Sequence, residues 1–218
     1  DYPILGTIAQ INAFALGAQM TNPRAKVYLE WSTLKEQDIE KRIDEIDPNC
    51  ISGKDIIVPD DNNHFYGVYH RESGGGEQKN LAMPLCHWGK FYEELIRTIM
   101  AGNWEQDNDV EKAINYWWGM PTGVVDVICS KKLPAGTVRL VNVLKHNYKT
   151  GQFHTFTDQM YAQGHILKEK KGETLSPEEV IEMDWLAENI IGRIPKIEEL
   201  QEQAKPVLTQ QGIETRKG

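Results

Sequence analysis

Three groups of side chains in this sequence have the chemistry to hold a small polar ligand. Asp60, Asp61 and Asn62 follow the apolar run "DIIV" at 55–58. Two carboxylates and an amide at the end of a strand accept hydrogen bonds from a sugar or an amine, and equally well solvate a turn or cap the next segment. His87 stands one residue ahead of the helical run that begins at Trp88. There its imidazole is a donor into a cleft, beside the unpaired amides of a helix's first turn. Tyr2 and Trp31 supply rings on which a planar ligand stacks.

Catalytic chemistry has less support. The chain has no phosphate-cradling G-x-x-x-x-G-K-[ST], no G-x-G-x-x-G, no G-x-S-x-G and no H-E-x-x-H. An enzyme using Asp60 or Asp61 with His87 as acid and base is the weakest reading, and no catalytic residue is assigned. The histidines at 64, 70, 87, 146, 154 and 165 never recur at i+3 or i+4, so no helix presents a chelating pair and no metal or cofactor is expected. Cys50, Cys86 and Cys129 form neither a Cys-x-x-Cys pair nor an even disulfide framework and are expected to be small apolar filler. "SGGG" at 73–76 reads as a connector, and one of Trp117 and Trp118 as core with its neighbour facing a cleft or a partner.

The totals exclude other classes. With 24 Lys+Arg against 32 Asp+Glu the net charge is −8, and no basic run neutralises a row of phosphates, so nucleic acid is not an expected partner. Apolar residues at 40% and charged residues at 26% suit a folded globular chain. No apolar run approaches the roughly 20 residues that cross a bilayer.

The elements that must position these groups are legible from periodicity. Residues 7–20 read as a helix with Thr7 available as cap and an apolar stripe of Ile8, Ile11, Ala15 and Ala18. "KVYLEW" (26–31) reads as a strand leading into a helix capped by Ser32 or Thr33, and "DIIV", "FYGVY" (65–69) and "LAMPLC" (81–86) as further strands, with Pro84 demanding an edge or irregular position. Trp88, Phe91, Tyr92, Leu95, Ile96, Ile99 and Met100 make a helix stripe, read as a packing face, with Gly102 as its stop. "GVVDVIC" (123–129) reads as a buried strand, and Thr137 to Tyr148 as a helix through Val138, Val141, Leu144 and Tyr148. "FHTFT" and "GHILKE" read as short strands. Ser176, Pro177 and Glu179 spell the start of a helix ending at Gly192. A helical tail follows Pro195, with Pro206 kinking or ending it. The alternation predicts a mostly parallel sheet flanked by helices, with ligands beyond the carboxyl ends of its strands.

With "INAFALGAQMTNPRAKVYLEW" (11–31), "HWGKFYEELI" (87–96), "YWWGMPTGVVDV" (116–127), "GQFHTFTDQ" (151–159) and "LSPEEVIEMDWLAENIIGRIP" (175–195) in this order, the chain resembles the basic membrane protein family. These are substrate-binding lipoproteins of ABC importers, purine-nucleoside receptors among them. The resemblance covers nearly the whole chain; it departs at 70–76, "HRESGGG", where the family often has an acidic ribose-holding turn, and at His87, where many relatives have Lys or Asn.

The resemblance implies a type I periplasmic-binding-protein fold, two α/β lobes closing on a purine nucleoside or base, with Tyr2, Trp31, Asp60, Asp61, Asn62 and His87 as ligand contacts. It implies a membrane permease as partner and an extracytoplasmic, lipid-anchored location. Asp1 falls where the family's chain has crossed into the second lobe, so an N-terminally truncated relative is expected, with weak nucleoside binding by this chain alone and a tendency to self-associate. The expected layout is a second-lobe domain at 1–86, a segment crossing back at 87–125, remaining lobe and hinge at 126–194, and a C-terminal helix and tail at 195–218. The alternative is a ligand-sensing domain of the same fold without a transport role.

Overall fold

The computed structural model describes residues 2–53, 67–72, 79–102 and 119–213. Asp60, Asp61, Asn62, the "DIIV" run, "SGGG", Trp117 and Trp118 lie outside them. The chain divides into two compact units, one of residues 1–46 and 154–218, the other of residues 47–153.

The first unit is built on α1, Thr7–Thr21. The predicted helix is present, but its buried face is Ile8, Ala9, Asn12 and Ala15, a stripe that places a carboxamide inside. Asn12 is fully buried; its Nδ2 donates to the Trp185 carbonyl at 2.7 Å and to Met183 Sδ at 2.9 Å, and its Oδ1 accepts from the Ala187 amide at 2.8 Å. Asn189, also buried, donates from Nδ2 to the Ala15 carbonyl at 2.8 Å. Around these bonds Ile8, Ala9, Ala15, Trp31, Met183, Leu186, Ala187, Ile190 and Ile213 form the core. A smaller cluster of Leu200, Ala204 and Leu208 closes the C-terminal end.

The same bonds shorten a predicted helix. The capping box of α5, Pro177–Ile181, forms as spelled: Ser176 Oγ accepts from the Glu179 amide at 3.3 Å, and Glu179 Oε2 from the Ser176 amide at 2.7 Å. The helix stops after Ile181 rather than at Gly192 because the next backbone groups are taken elsewhere. Asn12 claims Trp185 and Ala187, Gln163 N–H donates to the Leu186 carbonyl, and the Glu188 N–H donates to the Tyr161 carbonyl. Residues 190–191 instead become β8, Ile190–Ile191, parallel to β1, Val27–Tyr28. Gly192 is needed for close approach: a Cβ there would lie 2.9 Å from Leu29 Cβ.

The helix predicted from Ser32 begins later, as α2, Ile39–Ile46. Residues 33–35 are bound instead to 199–201, by Lys35 N–H to the Glu199 carbonyl at 3.0 Å and Gln201 N–H to the Thr33 carbonyl at 2.9 Å. Asp38 takes over the cap, its Oδ1 accepting from the Lys41 amide at 3.1 Å. Pro206 also acts otherwise than expected, standing in the first turn of α6, Lys205–Gln211, where its missing N–H costs nothing. The hairpin of β6, Thr157–Ala162, and β7, Ile166–Thr174, completes the unit; its tight turn sets Gly164 and His165 at φ of 76° and 57°.

The second unit carries a four-stranded sheet of order β2-β3-β4-β5: Cys50–Ser52, Val68–His70, Lys79–Cys86 and Val125–Cys129. Every pairing in it is antiparallel. This corrects the expectation of a mostly parallel sheet: among the described residues only β1 and β8 pair in parallel, and the fold is a mixed α/β one. Residues 71–78, the only link between β3 and β4, are too few for a crossover, so the pair closes as a hairpin. Pro84 lies beyond the last described pairing of β4 with β3, Val68 with Ala82, and faces Val127 of β5 on its other side. Gly67, at φ 68°, lies so close to β4 that a Cβ would meet Met83 Cα at 2.9 Å.

Two helices belong to this unit. α3, Trp88–Met100, has the predicted bounds, and α4, Ala135–Lys149, extends its prediction slightly at both ends. Lys145 of α4 binds Asp126 of β5 at 2.6 Å and the Val127 carbonyl at 2.9 Å, which holds the Asp126 carboxyl below its usual range. β5 is half-buried rather than buried, and the thiols expected as filler are outside the core, Cys50 and Cys86 exposed and Cys129 half-buried.

Replacing Asn12 by Ala strands the Trp185 carbonyl and the Ala187 amide in the core. It should cost about 3 kcal/mol of stability, read from the midpoint of urea unfolding; an unchanged midpoint would show that the core holds without the carboxamide.

Candidate functional site

The first unit contains a groove of about 650 Å³ whose wall is almost entirely charged. It lies where residues 34–38, the start of α2, and the 193–199 loop meet. Lys35, Lys41, Arg42 and Arg193 contribute cations, and Glu36, Asp38, Glu45 and Glu199 anions; Leu34 is the single aliphatic residue and Gln37 the single amide.

The groove is ordered by ion pairs that also shape its backbone. Arg193 grips Glu199 with both guanidinium nitrogens, Nη1 to Oε2 at 2.6 Å and Nη2 to Oε1. The Lys196 amide adds a bond to Glu199 Oε2 at 2.8 Å. Arg193 first and this amide second hold the Glu199 carboxyl at about 2, against an ordinary 4.5. Across the groove Arg42 binds Glu30 at 3.0 Å and Glu45 at 2.7 Å. Gln37 Nε2 donates to Glu30 Oε2, while Gln37 Oε1 is buried without a donor among the described residues. Glu36 adopts φ 57°, turning the chain between the stitched residues 33–35 and the Asp38 cap.

Trp31 sits behind this wall. Its ring is buried in the core, and Nε1 donates to the Arg193 carbonyl at 2.8 Å. It therefore positions the 193–199 loop through a backbone group. Tyr2 is exposed, and its carbonyl accepts from the Ile4 amide at 2.8 Å. Both belong to the first unit. His87 belongs to the second, half-buried at the N-terminal end of α3, with its amide donating to the Val124 carbonyl at 2.7 Å and its carbonyl accepting from the Phe91 amide. Among the described residues no three His, Cys, Asp or Glu side chains group as a metal site, and no helix is long and apolar enough to cross a membrane.

Such a wall offers donors and acceptors in alternation to a solute rich in both. The chain is similar to substrate-binding proteins. It is 24% identical over 205 residues to a purine-binding protein of Brucella abortus, a match covering 89% of this chain and 57% of that protein. It is 30% identical over 135 residues to a putative ABC transporter glucose-binding protein of Haloferax volcanii, covering 56% of this chain and 32% of that one. The chain thus spans a little over half of the first relative and about a third of the second. No family model matches it.

The groove residues escaped sequence reasoning because Lys, Arg, Glu and Asp in "LKEQDIEKRIDEI" look like the solvated face of a helix. The one local signal was Lys196 with Glu199, a charged pair at the spacing of a helical first turn just after Pro195.

Because the folded-state value of Glu199 lies below its ordinary one, the pair with Arg193 stabilises fully above pH 4.5 and is lost as pH falls toward 2. Followed by NMR, the Glu199 carboxyl carbon should titrate near pH 2 and move toward 4.5 in Arg193→Ala. A midpoint of 4.5 in the unaltered protein would mean that the bidentate pair does not persist in solution.

Proposed function

We propose that the chain is a substrate-binding module of an ABC importer that takes a small polar solute, a purine nucleoside or base in preference to a sugar, and releases it unchanged. The observation that carries this reading is the similarity to a purine-binding protein along 89% of the chain. The second relative, named for glucose binding, supports the class of solute-binding protein and keeps a sugar as the alternative ligand. Membership of the basic membrane protein family, a two-lobed type I fold, an extracytoplasmic lipid-anchored location and delivery to a membrane permease complete the proposal.

Chemically, a purine presents ring nitrogens as acceptors and N–H groups as donors, and a ribose or hexose presents hydroxyls that are both. Guanidinium and carboxylate groups side by side match either edge. In this reading Tyr2 offers an aromatic face, and Asp60, Asp61, Asn62 and His87 supply hydrogen-bonding groups. Trp31 holds the Arg193 carbonyl in place. Binding without turnover needs no nucleophile or poised acid, and both named relatives are binding proteins.

Titration of ¹⁵N-labelled protein with adenosine, inosine, adenine and glucose at millimolar concentration tests the proposal. Purines should shift the Trp31 indole N–H and the Gln37 side-chain amide, and Arg193→Ala should abolish the response. Shifts with glucose alone would overturn the purine preference; no shift with any of the four would overturn the binding role of the groove.

A further inference from the structure

α3 carries more apolar surface than its own unit uses. Phe91, Leu95 and Thr98 are half-buried, whereas Trp88, Tyr92, Ile96, Ile99 and Met100 are 60%, 57%, 55%, 45% and 82% exposed. At about 100° per residue these five fall within one arc of about 120°, beside the arc that turns inward. A contiguous apolar face of this kind on a folded chain marks an interaction surface.

Its aromatic residues are already ordered. Trp88 and Tyr92 each meet Phe91 edge to face, with centroids 5.9 Å and 5.6 Å apart, so a partner would fix few additional rotamers in docking on them. The border of the arc is charged with both signs. Glu93 and Arg97 stand next to it, paired at 2.7 Å and 59% and 67% exposed.

We propose that this face is a homodimer interface, in which α3 pairs antiparallel with α3 of a second copy about a twofold axis. In that arrangement Trp88 lies opposite Met100 of the other copy and Tyr92 opposite Ile96, so each exposed ring meets an exposed aliphatic or thioether side chain. The axis also brings Glu93 of each copy alongside Arg97 of the other. A border of one sign would repel its own copy, whereas this balanced border is complementary to itself, which is why the occupant is a second copy. The inference is independent of the proposed ligand.

Sedimentation velocity of the full chain from about 1 to 100 µM should show a monomer–dimer equilibrium. Ile96→Glu should weaken it by about tenfold or more, with unchanged circular dichroism, as expected for an exposed position. Glu93→Arg should also weaken it, and the double reversal Glu93→Arg with Arg97→Glu should restore it. A monomer at every concentration, or a dimer indifferent to Ile96→Glu, would overturn the proposal. A dimer that the double reversal fails to restore would overturn the antiparallel arrangement.

Discussion

The first unit depends on two buried carboxamides. Asn12 and Asn189 connect α1 to residues 183–189 across most of the length of the chain. The donors and acceptor of the Asn12 carboxamide are met, which fixes its partner backbone in one position, while Asn189 contributes through Nδ2 alone, its Oδ1 being buried without a partner among the described residues. Here the partner is irregular chain between α5 and β8, which has no helical ladder of its own. The carboxamide of Asn12 occupies the place of the missing turn, and the core side chains Met183, Leu186 and Ala187 are seated as a result.

From that fixed segment the order passes outward. Ile190–Ile191 pairs with Val27–Tyr28, which sets Trp31 in the core, and Trp31 holds the Arg193 carbonyl. Arg193 in turn grips Glu199, whose own carbonyl receives the Lys35 amide. The charged groove is therefore the outermost layer of a chain of contacts that begins with a buried amide. Its surface ion pairs are individually weak in water, yet they sit on a backbone already held in place, which is the condition under which exposed charges keep a defined geometry.

The second unit shows a different economy. Its antiparallel sheet is mostly half-buried, with Tyr69 and Val124 as its buried apolar residues among those described. α4 turns Val138, Val141, Leu144 and Tyr148 partly inward, the stripe its spacing predicts, and is anchored by Lys145 on Asp126. α3 has apolar residues on two adjoining arcs, and only one of them turns inward. Helical periodicity shows that a stripe exists; whether that stripe meets this chain or another one is a property of the whole surface.

Local rules were enough to establish α3, α4, the strand β4 and the capping box at Ser176, because each is specified by neighbours within a few residues, whereas the strand read at "FHTFT" (153–157) forms later, as β6, Thr157–Ala162. The absent motifs gave catalysis little support, and the reading of a binder came from the family resemblance. The end of α5, the late start of α2 and the groove were not legible, since each turns on a backbone group captured from far away in sequence: Trp185 and Ala187 by Asn12, Lys35 by the Glu199 carbonyl. Hydrophobic spacing records which residues leave water. The identity of the group waiting for them inside is decided only when distant segments compete for the same hydrogen bonds.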